Sequence, residues 1–176
     1  MANKEALREL QTRLAERMQV ARNEPPAHAW LAVECAGQGL LLPLEQAGEI
    51  FNAGRIMVVP HTRAWFAGVA NLRGGLHGVV DMAVFLGLRE RATQEHGSEG
   101  ARLVALNPST GVNCALLVDR LAGLRHESDL SDRVDDADAQ RPAFAGTRWR
   151  DPQGRHWQEI RLAALAADMQ FLAIAA

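Results

Sequence analysis

The sequence predicts a mainly β fold built of small barrels, and three observations carry that prediction. Short apolar runs recur at close spacing, each bounded by Gly, Pro, Asn or Asp turn signals. Nothing alternates a strand with a long helix, as a doubly wound sheet would. A polar, glycine-containing stretch over 89–101 separates two similar hairpin patterns, so the domain is expected as two close lobes joined there. At 176 residues with 48% apolar content, the chain can fill such an interior without staples; folding at this length removes roughly 70% of the unfolded surface from water.

The first element lies outside that β pattern. Leu7, Leu10, Leu14 and Met18 fall at steps of three and four within 4–22, with charged residues between them, which predicts an amphipathic helix. Its apolar stripe must pack on its own domain or on a partner, the own domain being the default. Asn23-Glu24-Pro25-Pro26 ends it, because the residue before a proline is pushed out of helical geometry. Residues 1–28 are therefore expected to be a helix and linker, and 29–172 the domain.

From Trp30 the period changes. WLAVEC and LLLPL, separated by Ala36-Gly37-Gln38-Gly39, read as a hairpin. A further apolar run, Ile56-Met57-Val58-Val59, stops at Pro60. The turn His61-Thr62-Arg63 then leads into WFAGVANLRGGLHGVVDM, two strand-like runs around a turn that carries Gly74, Gly75 and Gly78. Ala83 to Gly87 reads as a short helix, with Asp81 placed to cap it and Gly87 to end it. After the linker, RLVALN, a Pro108-Ser109-Thr110-Gly111 turn and VNCALLVDRLAGL form the second hairpin. Residues 127–141 hold six acids against Arg133 and Arg141, a solvated loop or frayed helix. A short hairpin around Asp151-Pro152-Gln153-Gly154, a helix through RLAALAADM and an apolar FLAIA complete the chain.

Composition excludes several partners. Nineteen basic and 21 acidic residues give a net charge of −2, which supplies no electrostatic reason to bind nucleic acid or an anionic membrane. No stretch approaches the ~20 apolar residues of a bilayer span, and the N-terminus lacks a signal peptide's apolar core, so a cytoplasmic protein is expected. Cys35 and Cys114 sit in apolar runs with no second cysteine at ligand spacing and read as buried small hydrophobes.

Chemistry-bearing patterns are sparse. The histidines at 28, 61, 77, 96, 126 and 156 form no HxH or HxxxH pair, and no serine stands in a nucleophile elbow. The glycines at 74, 75 and 78 lack the Walker spacing and its lysine, so they read as a tight turn rather than a phosphate cradle. Asp81 and Asp119 each follow an apolar run. They could form a carboxylate pair, but matching caps at strand ends are the simpler reading. No catalytic residue, metal or cofactor is expected. Arg73 stands out: between Leu72 and Gly74-Gly75, in an otherwise apolar segment, its guanidinium must find a carboxylate or stay exposed as a contact.

Gly68-Val69-Ala70-Asn71-Leu72-Arg73-Gly74, followed by Val79-Val80-Asp81-Met82 and Phe85-Leu86-Gly87, resembles the CheW-like family of chemosensory coupling proteins. The resemblance extends in the family's order over roughly 29–172, through AWLAVECAGQGLLLPLEQAGEIF, with its Glu49-Ile50 step, and RLVALN to CALLVDRLAGL. PHTRAWFAGVANLRG and the Phe171-Leu172-Ala173-Ile174 ending look most like the coupling proteins of type IV pilus (twitching) systems. Two departures are plain: Gly78 stands where the family has Pro, and Asp81-Met82 where it has Asp-Leu. The 127–141 tract is poorly matched.

The resemblance implies two intertwined five-stranded SH3-like barrels and no catalysis. It implies an adaptor linking the cytoplasmic tips of membrane chemoreceptors to the regulatory domain of a CheA-like histidine kinase, held at the inner face of the membrane in receptor arrays without inserting into it. Carried over by position, the partner-binding residues are Arg73, its acidic partner Glu49, and Asn71, Leu72, Gly74, Val69 and Ile50. The alternatives are a coupling protein of flagellar chemotaxis, and a small barrel enzyme using Asp81, Asp119 and a histidine brought near in space.

Overall fold

The computed structural model describes residues 28–90, 100–134 and 141–176; the helix expected over 4–22 lies outside them. The fold is mainly β. Among the described residues eleven strands run in order: β1 (Ala29–Cys35), β2 (Gln38–Pro43), β3 (Ala47–Asn52), β4 (Phe66–Leu72), β5 (Gly75–Asp81), β6 (Arg102–Leu106), β7 (Cys114–Val118), β8 (Arg120–His126), β9 (Asp132–Val134), β10 (Ala145–Arg150) and β11 (His156–Ile160). The described residues also form the short α-helices α1 (Met82–Phe85), α2 (Leu162–Ala166) and α3 (Met169–Leu172).

The strands form two sheets, one of six in the order β8-β1-β2-β11-β10-β9 and one of five in the order β3-β6-β7-β5-β4. Two pairings, β2 with β11 and β5 with β7, are parallel, and the rest are antiparallel. One sheet has the expected five strands. The other gains β9, which the acidic tract contributes by pairing Asp132–Val134 with 148–150 at the sheet edge.

The lobes do not divide at the linker. Strands before and after 89–101 share the five-stranded sheet, β3 pairing with β6 and β5 with β7. The chain changes sheets instead between β2 and β3 and, a second time, at Asp119 between β7 and β8. Polarity and glycine mark a solvated connection but carry no information on whether the strands it joins are neighbours. The true crossover is the single residue Asp119 inside VNCALLVDRLAGL, where a charged Asp-Arg pair parts two apolar runs.

Side-chain alternation explains why several runs look continuously apolar. Along β1, Trp30 and Ala32 face a core inside the six-stranded sheet with Leu41, Trp149 and Trp157. Leu31, Val33 and Cys35 face the layer between the sheets, against Val80, Val104 and Leu116. A third core, with Leu72, Val79 and Leu103, lies inside the five-stranded sheet. Strands buried on both faces lose the polar half of the usual alternation. Cys35 and Cys114 are both buried, and burial, the largest influence on each, pushes their thiols up to about 12.

Each sheet curls until its edges meet. In the five-stranded sheet the segment after β3 returns along β4, where Met57 and Val69 exchange N–H···O bonds of 2.8 and 2.9 Å. Gly68 makes that approach possible. Its φ is +137°, and a Cβ there would lie 2.1 Å from the Met57 carbonyl oxygen. Gly68→Ala is expected to cost about 2–3 kcal/mol, the scale of a strained backbone position, read as a lower denaturation midpoint. In the six-stranded sheet the edges β8 and β9 are joined by one 3-10 turn, Glu127–Asp129.

The remaining elements follow local chemistry. The Asp81 carboxylate accepts from Val84 N–H at 3.1 Å and starts α1, and Gly87 follows it at φ +69°. Gly75 and Gly78 lie inside β5, not in the turn. RLAALAADM is two helices rather than one, because the Asp168 carboxylate accepts from the Gln170 and Phe171 N–H groups and opens α3 afresh. Phe171 then stacks parallel to Trp65 at 6.3 Å.

Candidate functional site

The β4–β5 hairpin turns on Arg73 and Gly74 alone, at φ +49° and +85°. Two consecutive left-handed residues make the turn that matches strand twist, and Asn-Gly is its favoured sequence. An arginine in the first position costs about 1–2 kcal/mol in left-handed geometry. Asn71 offsets part of this, its side-chain oxygen accepting from the Gly74 N–H at 2.8 Å. The strained residue therefore aims a cation outward from a rigid turn.

That cation meets Glu49 on β3, Nη2 to Oε1 at 2.6 Å. The two strands are the opposite edges of the five-stranded sheet, so the pair spans the seam where the barrel closes. The side chains are 76% and 43% exposed. An ion pair so open to water contributes only ~0–1 kcal/mol to stability. The strain is not needed for folding and the pair is open to water, so the arrangement can offer guanidinium donors at the surface of the turn.

A groove of about 290 Å³ lies beside the pair. Glu49, Ile50, Asn71, Leu72 and Arg73 line it together. Val69 and Gly74 do not: Val69 is engaged with Met57 at the closure, and Gly74 sits in the turn. Arg55 and Phe51 also line it, and sequence reasoning missed both. Apolar side chains stay exposed on this barrel, Leu76 opposite Asn71 and, most of all, Val58 at 75%. The signal was present in the Ile56-Met57-Val58-Val59 run, which is apolar yet forms no ladder beyond the Met57 bridge.

Asp81 and Asp119 come together on Arg89, whose Nη2 lies 3.2 Å from each. Burial works against the Arg89 charge, and the two carboxylates outweigh it and raise its pKa. Both acids also hold backbone N–H groups, Asp81 that of Val84 and Asp119 that of Ala36. Among the described residues no His, Cys, Asp and Glu side chains gather into a metal-binding group, and no helix is long and apolar enough to cross a membrane.

Glu34 was missed. It is the one acid within WLAVEC, buried on β1 and held by Arg120 and Arg155. Burial pushes its carboxyl up, but the two guanidiniums prevail and hold it below the ordinary value. A depressed folded pKa contributes stability that is complete above the ordinary glutamate range and is lost as pH falls through the folded value. The stability difference between wild type and Glu34→Gln is expected to be largest at neutral pH and to close on acidification, measured by denaturant titration across pH.

A second, larger concavity of about 620 Å³ lies between α1 and the six-stranded sheet, with Leu40, Phe85, Leu88, Arg141 and Gln158 on its walls.

Comparison with known proteins agrees with this architecture. The model of the CheW-like domain matches residues 29–170. Protein PilI of Pseudomonas aeruginosa is 26% identical over 114 residues, covering 65% of this chain and 61% of PilI, so the match spans less than two thirds of that relative. The crystal structure of the scaffolding protein TtCheW from Thermoanaerobacter tengcongensis superposes with a TM-score of 0.63 at 19% identity, over 80% of this chain and 88% of that one. The last likeness is one of fold.

Proposed function

The chain belongs to the CheW-like family, and on that premise we propose that it is a non-catalytic adaptor that holds a chemoreceptor and a CheA-like histidine kinase together. It would act in the cytoplasm, in receptor arrays at the inner face of the membrane. The observation that carries this reading is the strained, exposed Arg73 paired with Glu49 at the barrel seam. Arginine suits such a surface: its planar fork can keep Glu49 and still offer donors to a partner. The exposed Ile50 and Leu76 supply apolar area beside it. Val69 and Gly74 take a supporting part, shaping the turn and the closure rather than touching the partner.

Similarity to PilI favours an output in type IV pilus twitching over flagellar chemotaxis. The enzyme alternative loses ground because Asp81 and Asp119 are both engaged by Arg89 and by backbone N–H groups. Calorimetric titration of the purified chain with a kinase regulatory domain, and separately with a receptor's cytoplasmic helical hairpin, tests the proposal. Saturable binding to both is expected, and binding to neither would overturn it. A deletion strain that loses twitching but still swims would support the pilus output; the reverse would assign the flagellar one.

A further inference from the structure

The Arg73 pair belongs to one barrel and the Glu34 cluster to the other. The cluster around Arg89 belongs to neither. We propose that Arg89 is the positioning residue that fixes how the two barrels sit against each other, by bridging Asp81 at the end of β5 to Asp119 at the crossover. This bridge sets the frame that carries the partner surfaces, whichever partners they bind.

Asp119 is the whole connection between β7 in one sheet and β8 in the other. Its N–H donates to the Glu34 carbonyl at 2.9 Å, and its Oδ2 accepts from Ala36 N–H at 2.6 Å. Ala36 opens the β1–β2 turn at φ +49°, so the carboxylate grips a left-handed turn of the six-stranded sheet. Arg89 Nη2 reaches the other Asp119 oxygen at 3.2 Å. The same nitrogen lies 3.2 and 3.3 Å from the two oxygens of Asp81. Asp81 is 1% exposed, caps α1, and donates its own N–H to the Trp65 carbonyl at 2.9 Å. One guanidinium nitrogen thus ties a strand end of one barrel to a turn of the other.

The apolar layer between the sheets cannot set that relation alone, because burial of such surface is non-directional. Charge-assisted hydrogen bonds with fixed geometry can. Without Arg89 a buried carboxylate and a half-buried one would share the site uncompensated. Cys35, the residue before Ala36, lies under the junction and reports on it. After burial, the charges that act on its thiol are those of Asp119, Asp81 and Arg89. Cys114, buried in the same layer, sits at the opposite end of β7 from Asp119 and serves as an internal control.

Site-resolved thiol labelling of the native full chain, read by mass spectrometry, tests the proposal. Arg89→Gln is expected to speed Cys35 labelling at least tenfold while Cys114 stays within threefold of wild type, and Arg89→Lys to return Cys35 most of the way. An unchanged Cys35, or Cys35 and Cys114 rising together, would overturn it. Should Arg89→Gln fail to fold, the Arg89→Gln, Asp119→Asn double variant removes the charge conflict without restoring the bridge. Fast Cys35 labelling there supports the clamp, and wild-type labelling would show that Arg89 only neutralises charge.

Discussion

Exchange of Arg73 for glycine is expected to leave the fold at least as stable as wild type while weakening partner binding by roughly 30- to 150-fold, the loss of a hot-spot arginine at about 2–3 kcal/mol. The two effects separate because they rest on different physics. Arg73 stands at φ +49°, where glycine pays no steric penalty, and its exposed pair with Glu49 contributes little to folding. Its donors, however, are the only feature of the turn able to grip an anionic or carbonyl group on a partner through a planar fork. A charge exchange, Glu49→Arg with Arg73→Glu, separates two roles of the pair. It keeps the ion pair across the seam but moves the cation to β3. If Arg73 itself touches the partner, binding stays weak in the exchanged protein; recovery of wild-type affinity would show that only closure of the seam matters. Calorimetry with the kinase regulatory domain and the receptor hairpin, beside a denaturant titration of each variant, reads both effects.

Trp157→Ala is expected to remove about 4 kcal/mol of stability, a large share of the 5–15 kcal/mol typical of a domain. The indole is 1% exposed and sits at the centre of the six-stranded sheet with Leu41 and Trp149. Its Nε1–H donates to Asp151 Oδ2 at 3.0 Å, and the Arg155 guanidinium lies 4.5 Å from the ring centroid. The space it needs is left by Gly39, where a Cβ would stand 2.7 Å from the ring. Truncation would leave a cavity and an Asp151 carboxylate short of one donor. Trp157→Phe keeps most of the area and loses the N–H, so a cost of about 1–2 kcal/mol is expected, and the gap between the two variants isolates packing from hydrogen bonding. A loss below 2 kcal/mol for the alanine variant would contradict this account of the barrel core.

These residues also show what could be read from the sequence. Asp81 could be placed as a helix cap and Ala36-Gly37 within a hairpin turn because both signals are local, one side chain meeting one nearby N–H or one change in φ. Arg73 stood out for the same reason, a guanidinium among apolar neighbours, although its pairing with Glu49 came from the family pattern and not from spacing. What stayed hidden was non-local. Asp119 changes sheets between two apolar runs that only an Asp-Arg pair separates, and Arg89, at the border of a polar stretch, gives no sign that it reaches two carboxylates 8 and 30 residues away. Glu34 was passed over because its partners, Arg120 and Arg155, are distant in sequence. The lobes expected to join at 89–101 instead share a sheet across it, because a linker's composition carries no information on the sheet to which its flanking strands return.

One molecule is expected to hold two partners at once, and co-elution tests this most directly. Purified chain, kinase regulatory domain and receptor hairpin, mixed at equal concentration and separated by size-exclusion chromatography with light scattering, are expected to give one species with the mass of all three, which Arg73→Gly disperses. Two binary complexes that compete, with no ternary species at any ratio, would contradict it.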